Sequence, residues 1–375
     1  MTKRLLVVGA GPIGLAAAVL GRRRGLDVTV LERDEPGSAL LRWGETRFFT
    51  PFAMNAPRAF LDLLDGTCPD DEDILTGPEM VERVLRPVAA SLGERVLTRH
   101  RVVAIGRSGL IRGDLPNHPL RAERPFRVVA DTDDGERTFE AEVVLDASGV
   151  TGQPTVLGAG GPAPGERAFA GRLIRHLADV ERARGKKVLV IGHGHSAATA
   201  LLRLADGATR ITWATRSRNK RPCEEIASDR LLERARICSS ANALAQTPPP
   251  FLSVERRAAV ESIEARGEKL AVALGGGRVG VFDEVLAFTG HRPDLSFVSE
   301  LALETSPVTE GAGRLAKALA SVTDSLNVPR LAAEDLASGE PGFALVGAKS
   351  YGRSRSFLLK NGLEHVTAIL DEAAR

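Results

Sequence analysis

Aromatic side chains are scarce in this chain of 375 residues, which has a single tyrosine (Tyr351), two tryptophans and 13 phenylalanines. So thin a supply argues against a platform that stacks the bases of a single-stranded nucleic acid. Net charge is almost absent as well. Fifty Lys and Arg against 48 Asp and Glu leave +2, without the basic excess of a nucleic-acid-coating protein. Cysteine is limited to Cys68, Cys223 and Cys238. They form no CxxC, so the sequence signatures of a zinc ribbon and of a thioredoxin-type redox pair are both missing. An odd count without a framework fits reduced thiols and a cytoplasmic location. No apolar run approaches the ~18 residues that span a membrane. Lys3-Arg4 followed by LLVVGAGPIGLAAAVL resembles a secretory leader, but the Gly-x-Gly-Pro sequence that interrupts the apolar stretch argues against that reading.

What is present is globular. Hydrophobic residues make up 43% and charged residues 26% of the chain, and the length suits two or three domains. Glycine, at 38 residues, exceeds the usual ~7% and points to Gly-rich functional loops. RLLVV at 4–8 reads as a buried strand, 12–24 as a helix and 27–32 as a second strand, a βαβ opening. Residues 33–75 read as irregular, with Trp43, Phe48, Phe49 and Phe52 clustered; a loop of that length commonly lines a site, although such a Phe cluster also serves plain core packing. Residues 78–92 read as a helix despite Pro87. Strands follow at 101–105, 126–131 and 137–140, with Asp133-Asp134-Gly135 as a hairpin turn, and a segment 143–149 closes the unit. The Gly- and Pro-rich stretch 150–170 reads as a linker. A second βαβ opening comes at 186–192, 195–205 and 210–215. Further strands near 270–290, a strand at 343–348 and a helix at 356–370 complete the chain. The two βαβ openings form an internal duplication.

Each opening carries a nucleotide fingerprint. Gly9-Ala10-Gly11-Pro12-Ile13-Gly14 follows a strand and starts a helix. The first glycine permits the tight turn, the second lets backbone approach a pyrophosphate, and the third packs helix against strand. The helix N-terminus favours the phosphate charge. Glu32 ends the next strand, where a carboxylate accepts hydrogen bonds from a ribose diol. The second fingerprint is Gly192-His193-Gly194-His195-Ser196-Ala197, with alanine in the third place. No acid follows its second strand. Arg216-Ser217-Arg218-Asn219-Lys220-Arg221 stands there instead, and arginine at this place suits the 2′-phosphate of NADPH. His193 and His195 lack the further ligands that a metal site needs, so no metal is expected.

Two such motifs in one chain resemble the two-dinucleotide-binding-domain flavoproteins. The resemblance implies an α/β fold of two nested Rossmann-like domains: an FAD domain at 1–155 and 285–375, and an inserted NADPH domain at 156–284. Asp146-Ala147-Ser148-Gly149 resembles the first linker of that family, and Ala287-Phe288-Thr289-Gly290-His291-Arg292-Pro293-Asp294 the return linker. The missing CxxC, and Val346-Gly347-Ala348-Lys349 without the aspartate of thioredoxin reductases, move the resemblance toward the flavin-containing monooxygenase-like branch. The signature of that branch is degenerate here, as Phe169-Ala170-Gly171 with His176. The run 347–366 and the loop 42–55 are similar to small bacterial flavoproteins, some from arsenic-resistance gene clusters, and more faintly to bacillithiol disulfide reductases.

The resemblance implies an FAD- and NADPH-dependent oxidoreductase, a monooxygenase that uses molecular oxygen on a small soft nucleophile, or alternatively a reductase of a small disulfide or other acceptor. It implies neither a nucleic-acid nor a membrane partner, and leaves a homodimer open. Cofactor contacts are expected from Gly9, Gly11, Pro12, Gly14, Glu32, Arg33, Trp43, Val102, Ser148, Gly149 and Gly347, and from Gly192, Gly194, His195, Ser196, Ala197, Arg216 and Arg218. Asn55, Lys349 and Arg353 are the candidates for groups near the flavin.

Overall fold

The computed structural model describes residues 2–64, 68–116 and 118–375. The chain divides into two compact units. Met1–Leu41, Thr50–Gln153 and His291–Arg375 make the first, Arg42–Phe49 and Pro154–Gly290 the second.

The first unit is built on a five-stranded parallel sheet in the order Phe343–Leu345, Val143–Asp146, Arg4–Val8, Asp27–Leu31, Val96–Leu97. Val7 sits in its centre, opposite Val30 on one side and Leu145 on the other. An unbroken apolar run is what a strand covered on both faces requires, and Leu5, Leu6 and Val7 are all at or below 1% exposure. Helix Pro12–Arg23 starts with proline in its first turn and ends on Arg22 and Arg23, the arrangement that suits the fixed φ of proline and the helix dipole. It packs against the last helix, Leu359–Ala373. A three-stranded antiparallel meander, Arg101–Arg107, Phe126–Thr132 and Gly135–Ala141, completes the unit. Its hairpin closes over Asp133 and Asp134 alone, because Thr132 already pairs with Gly135.

The second unit repeats this plan. Its parallel sheet runs Leu173–Ile174, Glu284–Ala287, Lys187–Ile191, Arg210–Thr215, Leu252–Arg256, and its meander is Val260–Arg266, Lys269–Leu274 and Arg278–Phe282. In both units the meander lies between an edge strand of the parallel sheet, Val96–Leu97 or Leu252–Arg256, and the strand that returns beside Arg4–Val8 or Lys187–Ile191. The duplication is therefore one of whole units. Before it, residues 154–169 have neither helix nor regular strand. Glu166 orders them by accepting from Leu157 N and Ala163 N and pairing with Arg175 at 3.1 Å.

The helix read across Pro87 has three parts: an α-turn Gly77–Met80, a π-turn Val81–Leu85 and an α-segment Arg86–Leu92. The wider turn absorbs the proline, which supplies no N–H and would crowd the carbonyl four residues back. Helix Leu232–Gln246 and strands Leu252–Arg256 and Val260–Arg266 are elements that the sequence reading did not include. Among the described residues no helix is long and apolar enough to cross a membrane.

Candidate functional site

Gly9 follows strand Arg4–Val8 and Gly192 follows strand Lys187–Ile191, each in a conformation that side chains rarely adopt, at φ +98° and +123°. A Cβ at Gly9 would lie 2.9 Å from Ala147 O, and one at Gly192 2.2 Å from Phe288 O. These are tight turns against the returning strand. Gly11 and Gly194 are different. Each is the residue before a helix, at φ −78° and −88°, and a Cβ on either would meet nothing within 4 Å. That open space above a helix N-terminus is the room a pyrophosphate needs. At the third position a Cβ on Gly14 would be only 1.9 Å from Gly9 O. Its counterpart Ala197 is fully buried with its methyl accommodated. Both turns thus fit a dinucleotide.

Glu32 is buried behind the first turn. Its Oε2 accepts from Ala10 N at 2.6 Å and its Oε1 from Asp34 N at 2.9 Å. Burial pushes its carboxyl above the ordinary range, against the pull of those two hydrogen bonds. Arg33 is exposed and pairs with Asp34 at 3.2 Å. Ser148 follows the returning strand; its N and Oγ both donate to Asp146 Oδ1. Gly149 and Gly347 have φ of +71° and +66°, and Gly347 lies against Ile13 of the first helix. Val102 is half-buried on the meander and packs on its core.

The three flavin-side candidates have distinct settings. Lys349 is fully buried, 2.6 Å from Asp146 Oδ2 and 2.8 Å from Ser148 Oγ, with Nζ 4.2 Å from the Phe297 ring centre. Asn55, also buried, spends its amide on its own loop: Nδ2 donates to Thr50 O and Oδ1 accepts from Thr50 Oγ1. Arg353 is exposed and lies 3.8 Å from Glu310, which also pairs with Arg292 at 2.7 Å. Glu310 and Arg292 line a cavity of about 430 Å³ with Gln153 and Asp294. Lys349 and Ser148 are therefore brought together, whereas Asn55 and Arg353 occupy separate places. Trp43 belongs to the second unit, 4.9 Å from the Phe48 ring, and Phe49 contacts His195 there.

In the second unit the indole of Trp213, fully buried, donates to Gly192 O at 2.7 Å and pins the turn from beneath. His195 opens the helix His195–Leu204, Ser196 is exposed beside it, and Arg216 and Arg218 are exposed just past the second strand. Neither arginine side chain has a protein partner among the described residues, which leaves both donors available.

Sequence reasoning missed the thiols of this unit. Cys223 and Cys238 are buried at 3% and 2% exposure and are not bonded to each other. Hydrogen bonds from the Cys223 thiol, then from the His195 ring, outweigh burial and bring the Cys238 thiol down to about 5. Asn242, one helical turn beyond Cys238, holds the Cys223 backbone from both sides: Cys223 N donates to Asn242 Oδ1 and Asn242 Nδ2 donates to Cys223 O, each at 2.9 Å. Cys238 and His195 line a cavity of about 520 Å³. The separation of these cysteines in sequence gave no sign of the contact.

A family model described as "Pyridine nucleotide-disulphide oxidoreductase" matches residues 6–109 and 121–328. A ferredoxin–NADP reductase from Thermus thermophilus is 32% identical over 213 residues, covering 56% of this chain and 51% of the relative. A thioredoxin reductase from Escherichia coli is 28% identical over 233 residues, covering 62% and 58%. An indole-3-pyruvate monooxygenase from Oryza sativa subsp. japonica is 29% identical over 194 residues, covering 51% and 42%. The chain thus spans about half the length of the curated relatives it matches. Among solved structures, a bacillithiol disulfide reductase from Bacillus cereus superposes with a TM-score of 0.74 at 18% identity, covering 100% of this chain and 99% of that one. An ornithine hydroxylase from Pseudomonas aeruginosa gives 0.63 at 19% identity, covering 100% of this chain and 99% of that one. At these identities the likeness is one of fold.

Proposed function

The chain belongs to the pyridine nucleotide-disulphide oxidoreductase family, and from that premise we propose that it is an FAD-dependent, NADPH-using oxidoreductase acting on a small molecule. The observation that carries this reading is the pair of equivalent turns, each with open space over its second glycine at the start of a helix. FAD, when bound, supplies the hydride-accepting redox chemistry that no side chain provides.

The chain's own residues bind and orient. Backbone at Gly11 and the start of helix Pro12–Arg23 hold the FAD pyrophosphate. Glu32 fixes the shape of that turn through Ala10 N and presents carboxylate oxygen to the ribose. Lys349, neutralised by Asp146, holds Ser148 in place beside the Gly9 turn. Backbone at Gly194 and the start of helix His195–Leu204 hold the NADPH pyrophosphate, and Arg216 and Arg218 donate charge-assisted hydrogen bonds to the 2′-phosphate. The FAD domain is the first unit and the NADPH domain the second.

Two readings of the terminal acceptor follow. Oxygenation of a small soft nucleophile is supported by the resemblance to the monooxygenase-like branch and by the match to a plant monooxygenase. Reduction of a small disulfide is favoured by one feature of this structure, the Cys223–Cys238 contact beside His195. Turnover assays with and without oxygen separate them. A reductase consumes NADPH anaerobically with small disulfides. A monooxygenase needs oxygen and forms one oxygenated product per NADPH. Absence of NADPH oxidation under both conditions, with FAD bound, refutes the proposed function itself.

A further inference from the structure

Two arginines of the first unit share one carboxylate. Arg292 makes a two-pronged pair with Glu310, Nε donating to Oε2 at 2.9 Å and Nη2 to Oε1 at 2.7 Å. The Arg353 guanidinium stands 3.8 Å from the same Oε1, too far for a hydrogen bond. Glu310 itself has φ +63°. A residue other than glycine keeps that conformation where its surroundings impose it, and such positions cluster at ligand clamps. Here the surroundings are rigid. Glu310 N donates to Ser306 O and Arg353 N to Thr309 O, each at 2.8 Å. A Cβ on Gly311 would lie 2.3 Å from Ser350 O, and one on Gly352 2.1 Å from Thr309 O. The loop that carries Glu310 is thereby clamped to the turn that carries Arg353.

Arg292 and Glu310 line the cavity of about 430 Å³, a volume suited to a small ligand. Pro293, Leu295 and Pro307 give it apolar wall. Its other acid, Asp294, is already engaged. Asp294 Oδ1 accepts from Ser296 N at 3.0 Å and from Ser296 Oγ at 2.7 Å, and its Oδ2 from Gln153 Nε2 at 3.4 Å. We propose that this cavity binds a small carboxylic acid with an apolar body, whose carboxylate displaces Glu310 from Arg292 and engages Arg353 as well. The proposal goes beyond the NADPH oxidoreductase reading and does not depend on it.

Glu310 acts in this account as a built-in stand-in for the ligand's carboxylate. The side chains of Arg292 and Glu310 are 48% and 25% exposed, and a pair so open to water is weak. Exchanging one carboxylate for another on Arg292 is therefore nearly balanced. The surplus comes from Arg353, whose planar fork can donate two parallel hydrogen bonds to a carboxylate, and from the apolar body laid against the proline and leucine walls. Because the loop and the turn are already locked together, little ordering is left for the ligand to bring about.

The test is calorimetric titration of the full chain, supplied with FAD and without NADPH, using phenylacetate as the probe. Binding is expected with a Kd of about 1 mM or below. Phenylacetamide, which lacks the charge, and acetate, which lacks the apolar body, should each bind about tenfold more weakly or worse. Arg353→Ala and Arg292→Ala should weaken phenylacetate by about tenfold, with Arg353→Lys between Arg353→Ala and the parent. Glu310→Gln should do the opposite and tighten it severalfold, because the competing carboxylate is gone. That opposite sign separates a ligand site from a purely structural ion pair, whose loss on either side would act alike. Arg99→Gln, which breaks the exposed pair with Asp133, should bind like the parent. No binding by the parent, equal affinity for the amide, an Arg353→Ala protein that binds like the parent, or a Glu310→Gln protein that binds more weakly overturns the site. Binding seen only when FAD is withheld overturns it too, since the cavity would then belong to the flavin. A protein that takes up no FAD yet binds phenylacetate in this pattern leaves the site standing and refutes the oxidoreductase reading.

Discussion

Gly11→Ala and Gly14→Ala place the same methyl group three residues apart and are expected to fail in opposite ways. At Gly14 the new Cβ would be 1.9 Å from Gly9 O, short of an ordinary contact by about 1.5 Å. The obstacle is backbone, so the helix must lift from the strand. Overpacking of this kind costs about 1–3 kcal/mol or more, and the helix preference for alanine returns up to ~1 kcal/mol. Gly14→Ala should therefore lower stability to unfolding, with or without flavin. Gly11 has φ −78° and free space. There the loss of unfolded-state entropy and the poorer helix cap nearly offset each other, within about 1 kcal/mol. The methyl instead occupies the approach of the pyrophosphate. Losing one backbone hydrogen bond to a charged phosphate costs about 1.5–3 kcal/mol, roughly 10- to 100-fold in Kd. Urea denaturation of the apoprotein and FAD titration by fluorescence quenching measure the two effects. A Gly11→Ala protein that binds FAD like the parent, or a Gly14→Ala protein as stable as the parent, would refute the assignment of roles within the turn.

Arg216→Ala with Arg218→Ala should raise the Kd for NADPH at least tenfold while NADH binding barely changes, as calorimetry can show. Iodoacetamide should modify Cys238 nearly as fast at pH 6 as at pH 8, because its thiol lies near 5. His195→Gln should move that profile toward alkaline pH, whereas Cys68, raised by burial, should react only in alkaline solution. Glu340 accepts from Arg107 and Arg121 in a buried triad. Glu340→Gln should therefore cost about 3–5 kcal/mol by leaving two buried cations unpaired. Burial opposes ionisation of Glu340, but the arginine hydrogen bonds prevail and lower its pKa. The parent's advantage should hold above the ordinary carboxylate range and fade as pH falls through the lowered value.

What could be read from the chain was local. RLLVV, the two glycine turns and the strands beside them carry their signals within a few residues, and the structure places strands or helix starts there. Helix Leu232–Gln246 escaped because its buried face is Arg234, Ile237, Cys238, Ala241, Asn242 and Ala245, a stripe too small and polar to show an apolar period. Strand Val260–Arg266 buries Val260 and Ile263, three apart across a register shift, so no period-two pattern shows in its sequence. The candidate site divides in the same manner. The nucleotide turns are contiguous sequence. The Cys223 contact with Cys238 depends on a helix packing against a loop, and the Lys349 pair with Asp146 joins segments about two hundred residues apart. The missing CxxC excluded one motif and said nothing about where folding places the distant cysteines Cys223 and Cys238, both of which end in one buried cluster.

The central claim is that one unit holds FAD and the other delivers NADPH to it. Its most direct measurement is the visible spectrum of the purified protein during anaerobic addition of NADPH or NADH. The account predicts a flavin band, a chromophore released by denaturation as FAD, and bleaching much faster with NADPH than with NADH. A protein that stays colourless after FAD is supplied, or a flavin that NADPH leaves oxidised, would contradict it.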